Sequence, residues 1–134
     1  MKTISIYCKK CNERLTEELS EVSYEEIDFP EKEEAIPEGK FVFNKNNSTL
    51  SILTSRNQKL VNDHTDVHRF YGCCGSDGSN GLNKTCINKH EVATEFSDCY
   101  TSYYIEFSLK HVIVKFKTNA NHLNEMNFKN YVFK

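Results

Sequence analysis

The chain contains no tryptophan, two prolines and five glycines. It also lacks the run of about 20 apolar residues that a membrane-spanning helix needs, and its first residues lack the apolar stretch of a secretory signal. Both absences favour a cytoplasmic protein without a membrane anchor. Basic residues number 17 against 19 acidic ones, which argues against a dedicated nucleic-acid-binding domain. No nucleophile–base arrangement is recognisable, so we expect no enzymatic activity.

The length and composition fit one folded domain over residues 1–134. Asn12 is a candidate cap for a helix over 13–26, whereas the glycine- and cysteine-rich segment 72–90 predicts a loop. Alternating apolar patterns predict strands in seven places: 3–7, 40–44, 49–53, 91–96, 100–107, 109–116 and 126–133. The second and third form a hairpin turning at Asn46-Asn47, and the last four make up the C-terminal strands 91–133. We expect an α+β fold, mainly β, with an antiparallel sheet, one or two short helices and a zinc-ribbon-like metal knuckle.

Acidic residues are concentrated in one segment of the chain. Residues 13–39 contain eleven acids against Arg14 and Lys32, and form the predicted helix and an exposed loop. Such a block creates a local negative potential that attracts a basic partner. It is also compatible with a merely solvated surface. As partner-binding candidates we take five glutamates: Glu25, Glu26, Glu31, Glu33 and Glu34.

The strongest local motif is Cys8-Lys9-Lys10-Cys11. A C-x-x-C turn brings two sulfurs to one point, as in the knuckle of a zinc ribbon, and neighbouring lysines favour the thiolate. Tetrahedral zinc then needs two further nitrogen or sulfur ligands.

Several residues are candidates for completing the site. We favour Cys86 and Cys74, so the predicted zinc ligands are Cys8, Cys11, Cys74 and Cys86. In Cys74-Gly75 a glycine follows the ligand and allows a close turn. Cys73, His90 and Cys99 are held in reserve. Among these three, His90 follows Cys86 at a C-x3-H spacing that also suits a half-site. The side chains of adjacent Cys73 and Cys74 diverge, so we expect only one of them to bind the ion.

Three other interpretations of the cysteines remain open. Disulfides are disfavoured in a chain without a secretory signal. A thioredoxin-like redox pair needs a βαβ context, which the pattern does not predict. Buried free thiols are common core residues.

A second motif begins at Gly72-Cys73-Cys74-Gly75-Ser76-Asp77-Gly78. It continues with Cys86, with Glu91-Val92-Ala93-Thr94-Glu95 and with Ser97-Asp98-Cys99. Together with the N-terminal C-x-x-C, it resembles a small uncharacterised bacterial family that is zinc-ribbon-like. The resemblance touches both ends of residues 1–100, and it implies a metal site and a link to immunity proteins of polymorphic toxins. It implies no established activity.

Two histidines, His64 and His68, are spaced like the ligand pair of a metalloprotease, but Thr65 stands where that motif requires glutamate. We therefore expect a surface or hydrogen-bonding role, and His64 and Asp66 near Arg69 are suited to forming a small polar network.

The small size, the acidic segment and the missing catalytic set predict a protein-binding module with a structural zinc ion. The partner we expect is a basic toxin domain. The alternative is a zinc-ribbon nucleic-acid-binding or transcription-associated factor, with several lysines and aromatic side chains on one face: Lys9, Lys10, Lys110, Lys115, Lys117, Tyr103, Tyr104 and Phe116.

Overall fold

The fold is described from a computed structural model, which covers residues 3–44, 50–117 and 123–126. It contains ten strands: β1 (Thr3–Cys8), β2 (Leu19–Glu21), β3 (Lys40–Asn44), β4 (Ser51–Thr54), β5 (Asn62–Asp63), β6 (Lys84–Thr85), β7 (Glu91–Phe96), β8 (Tyr104–Ser108), β9 (Val112–Lys117) and β10 (Leu123–Met126). The described residues also contain two short 3-10 helices, Tyr24–Glu26 and Val67–Phe70. The prediction of a mainly β fold with an antiparallel sheet is confirmed.

All ten strands belong to one sheet in the order β10-β9-β1-β2-β3-β4-β8-β7-β6-β5. Its pairs are antiparallel except β2 with β3. Strands β1 and β7 are five positions apart, which would separate them by about 24 Å in a flat sheet. Ile6 of β1 and Val92 of β7 nevertheless belong to one fully buried cluster. The sheet is therefore strongly curved, and its two halves enclose the main core.

A smaller core covers the opposite face of the sheet. Along β3, Phe41 faces the main core and Val42 the smaller one, as the two-residue period of a strand requires. The segment that follows β2 packs on Val42 through its apolar residues, among them Ile36, Ile27 and Phe29. Its acidic side chains consequently face outward.

The helix predicted over 13–26 is wrong. Residues 13–16 instead run along β1, where the Leu15 amide donates to the Ile6 carbonyl at 2.7 Å, and the Cys8 amide donates to the Glu13 carbonyl at 2.8 Å. Leu15 and Leu19, which the helical pattern put on one stripe, are both buried in this extended arrangement. Pairing with β1 satisfies the backbone and buries the same leucines, so tertiary context overrides the local pattern.

The hairpin of β3 and β4 is confirmed, and its expected turn at Asn46-Asn47 lies outside the described residues. Strand β7 coincides with its prediction, and β8 and β9 lie within a few residues of theirs. Of the last predicted strand, 126–133, the structure describes Met126 alone, which belongs to β10; the rest lies outside the described residues.

Candidate metal centre

The C-x-x-C motif forms a tight turn at the end of β1. Cys8 is the last residue of that strand, and the amide of Asn12 donates to the Cys8 carbonyl at 2.8 Å, which closes the turn. Asn12 has a φ of 62°, in the left-handed region that asparagine tolerates better than most residues. The amide of Lys9 donates to His111 of the neighbouring β8–β9 turn at 3.0 Å. The first pair of thiols is therefore anchored to the sheet.

A second turn, between β6 and β7, carries Cys86 and His90. The Lys89 amide donates to the Cys86 carbonyl, and the Cys86 amide donates to the His90 carbonyl, both at 2.9 Å. The amide of Asn88 donates to the Cys86 Sγ at 3.3 Å, an interaction that favours a thiolate. The C-x3-H segment thus forms a closed turn that places Cys86 Sγ and His90 Nδ1 on the same side.

The two turns meet across the curved sheet and form a cluster of four donor atoms. All four atoms lie within 4.8 Å of one another. Cys11 Sγ lies 3.7 Å from Cys86 Sγ, and His90 Nδ1 lies 3.6 Å from Cys8 Sγ and 3.4 Å from Cys86 Sγ. Tetrahedral zinc with bonds of about 2.3 Å to sulfur and 2.0–2.1 Å to nitrogen requires separations of about 3.8 Å between sulfurs and about 3.6 Å between sulfur and nitrogen. The cluster therefore has the size and the donor chemistry of a zinc site.

Thiols within this cluster differ in acidity. Burial raises the pKa of Cys8 to about 11, whereas a hydrogen bond from the Asn88 side chain is the main cause that lowers the pKa of Cys11 to about 6. A metal ion binds thiolates and displaces the remaining protons. Asn88 thus contacts Cys86 in its own turn and Cys11 in the other. Sequence analysis missed this role although the residue lies inside the C-x3-H motif.

Four lysines lie at a cavity beside the centre. Lys9 and Lys10 from the first turn, Lys89 from the second, and Lys110 line a cavity of about 380 Å³ beside Cys8 and His90. With a divalent cation bound, three thiolates would leave a net charge of −1, which positive charges beside the site would offset. Lys89 could have been anticipated from its position between the ligands.

The preferred ligand set from the sequence differs from this cluster at one position. The structure groups Cys8, Cys11 and Cys86 with His90, a reserve candidate of the sequence, rather than with Cys74. Cys74 lies instead in a separate group with Cys73 and Cys99. The reason is topological, because the turn that carries Cys86 also carries His90, whereas Cys74 is hydrogen-bonded to the loop after β7.

The paired histidines form the polar network that the sequence predicts. Nδ1 of His64 accepts the Asp66 amide at 3.0 Å, so its Nε2 carries the proton and donates to Glu91 at 2.9 Å. Arg69 also contacts Glu91, at 3.0 Å, and His68 pairs with Asp66. Neither His64 nor His68 belongs to a described metal cluster.

The five glutamates chosen as partner-binding candidates are all exposed. Glu25 and Glu26 lie in the first 3-10 helix, where both interact with Ser23. Glu34 forms an ion pair with Arg56, whose guanidinium also covers the Tyr103 ring at 4.3 Å. The remaining two candidates, Glu31 and Glu33, lie on the same outward-facing segment.

No protein-family model, no curated protein and no solved structure matches this chain. Among the described residues, none of the helices has the length and apolar character needed to cross a bilayer.

Proposed function

We propose that this chain is a non-enzymatic protein-binding module with a structural zinc site, and that it acts as an immunity protein against a basic, nuclease-type bacterial toxin. The observation that carries the binding role is the acidic segment: after β2 its apolar residues pack on the smaller core, while the five candidate glutamates are exposed to solvent. Such a fixed acidic surface complements a cleft that binds nucleic-acid phosphates. A cytoplasmic location, where thiols stay reduced, belongs to the same proposal.

Zinc has a structural role in this proposal. Cys8, Cys11, Cys86 and His90 supply four ligands, so the ion keeps no open position for water or substrate. Cys8 and Cys86 are fully buried, in agreement with a closed site. The ion links β1 to the β6–β7 turn, which are distant in the sheet order, and thereby holds the curved sheet together.

Toxin neutralisation would be steric and electrostatic. Carboxylates from the acidic segment pair with lysines and arginines of the toxin and deny its substrate access to the cleft. Exposed charges act mainly on the rate of association, and salt screens them.

The test uses the polypeptide encoded beside this chain's gene as the probe. Co-expression should protect cells from it, and the purified pair should associate more slowly as salt rises. The variant Glu31→Gln/Glu33→Gln should slow association, whereas the control Asp63→Asn/Asp66→Asn removes the same charge from exposed sites outside the acidic segment and should have little effect. Failure to protect cells, or equal association by both variants, would overturn the proposal.

A second candidate, nucleic-acid binding, is favoured by the cavity that Lys9, Lys10, Lys89 and Lys110 line. Two other lysines of the predicted face are engaged elsewhere, since Lys115 lies over the Tyr7 ring and Lys117 pairs with Glu18. Fluorescence anisotropy with single-stranded and duplex oligonucleotides at low salt tests this candidate. Binding that weakens in Lys10→Ala and steeply with salt would support it, and no binding to either probe would exclude it.

A further inference from the structure

The three cysteines outside the proposed zinc centre converge at the protein surface. The sulfurs of Cys73, Cys74 and Cys99 all lie within 4.8 Å of one another. Cys73 and Cys74 are exposed, and Cys99 is half-buried. Since the motif places Cys99 in a different loop from the other two, this convergence is a product of the fold.

A buried carboxylate holds the two loops in this arrangement. Asp98 is 3% exposed, and its side chain accepts the amides of Cys74 at 2.8 Å, Cys99 at 2.7 Å and Cys73 at 3.3 Å. Every cysteine of the group therefore has its backbone fixed to one carboxylate. The amides of Cys73 and Cys74 both point at Asp98, and the chain bends there. The sulfurs of these adjacent residues lie within 4.8 Å of each other, whereas the sequence predicts that their side chains diverge.

The loops also approach each other too closely for side chains at two positions. A Cβ on Gly75 would lie 2.4 Å from the Ser97 carbonyl oxygen, and a Cβ on Gly72 would lie 1.8 Å from the Gly75 carbonyl oxygen. Glycines on both sides of the cysteine pair thus allow the backbone to fold around the sulfurs. The amide of Ser97 donates to the Ser76 carbonyl at 2.9 Å and joins the loops further.

We propose that Cys73, Cys74 and Cys99 form a second metal site, which binds a thiophilic d10 cation, Cu(I) or Zn²⁺, in a readily exchangeable form. Three sulfur donors suit soft cations, and metal–sulfur bonds of about 2.3 Å require sulfur separations of about 3.8–4.0 Å, which fit within the observed limit. Unlike the four-ligand centre, this group is open to solvent and contains three donors. An incoming ion displaces three thiol protons to water and leaves a face accessible to a competing ligand.

Metal stoichiometry tests this site. The reduced protein is titrated separately with Zn²⁺ and with Cu(I), the latter buffered by a Cu(I) chelator, and the bound ions are counted by native mass spectrometry. We expect two ions per chain, of which one is lost at a much lower concentration of competing chelator. Comparison of the two titrations shows which cation the second site prefers, because the preferred cation stays bound at a higher concentration of competing chelator.

Single substitutions assign the exchangeable ion. Cys73→Ser and Cys99→Ser should each reduce the stoichiometry to one ion, and the tightly bound ion that remains shows that the chain is folded. The control Ser79→Ala, at an exposed position of the same loop, should keep both ions. Peptide mapping provides a second measurement, since metal should protect Cys73, Cys74 and Cys99 from alkylation together. Unchanged stoichiometry in both cysteine variants, or equal alkylation with and without metal, would overturn the proposal.

Discussion

The stability of the fold should rise with the concentration of free zinc, by an amount that the length of the chain determines. A ligand that binds only the folded state adds about 1.4 kcal/mol for each tenfold increase above its Kd. An unfolding entropy of about 2.1 cal/mol/K per residue gives roughly 280 cal/mol/K for 134 residues. We therefore expect the melting temperature to rise by about 5 °C per tenfold increase in free zinc.

The structural reason is that the four ligands lie on two turns that only the curved sheet brings together. In the unfolded chain Cys11 and Cys86 are separated by 75 residues, whereas their sulfurs lie 3.7 Å apart in the fold. On the proposed zinc centre, zinc would therefore bind the folded state in preference to the unfolded one, and its binding free energy would become folding free energy.

The assay is a series of thermal melts in zinc buffers, performed on Cys73→Ser so that only the four-ligand centre contributes. The control combines Cys73→Ser with Cys86→Ala, which removes one ligand. This second variant should melt at a lower temperature and show little dependence on zinc. A melting temperature of Cys73→Ser that stays constant over several decades of free zinc would refute the reasoning.

Three further predictions concern the loops and the core. Gly75→Ala should abolish the exchangeable ion but keep the tight one, because its Cβ would meet the Ser97 carbonyl at 2.4 Å; native mass spectrometry measures both. Burial raises the pKa of Tyr104 to about 12, so the stability it contributes is present below about pH 10 and is lost as the pH rises towards 12. Denaturant melts of wild type and Tyr104→Phe over this range should show the variant losing less stability, and parallel losses would contradict the prediction. Phe107→Ala should cost about 3–5 kcal/mol in urea unfolding because Phe107 is fully buried, whereas exposed Tyr71→Ala should cost far less.

The strands were predictable where the sequence alternates and the partner lies nearby along the chain. The β3–β4 hairpin and β7 follow from such local patterns. The extended conformation of the segment after Asn12 was not predictable, because Leu15 and Leu19 fit a helical stripe as well as an extended chain. Only pairing with β1 decides between the two conformations. The curvature of the sheet has no local signal either, since it depends on contacts between distant strands.

The first half of the candidate site, the pair Cys8 and Cys11, was predictable. The spacing of Cys8 and Cys11 fixes their convergence within one turn, whereas nothing in the sequence says which distant residues meet that turn. His90 and Cys74 were both chemically suitable, and the curved sheet selects His90 because it shares a turn with Cys86. The role of Asp98 depends on two loops that the topology brings together.

Zinc K-edge X-ray absorption on Cys73→Ser loaded with one zinc ion tests the central claim most directly. A site made by Cys8, Cys11, Cys86 and His90 predicts three sulfur ligands at about 2.3 Å and one nitrogen ligand at about 2.0–2.1 Å. His90→Cys should convert the spectrum to four sulfurs. A first shell with fewer than three sulfurs, or a spectrum that His90→Cys leaves unchanged, would contradict the account.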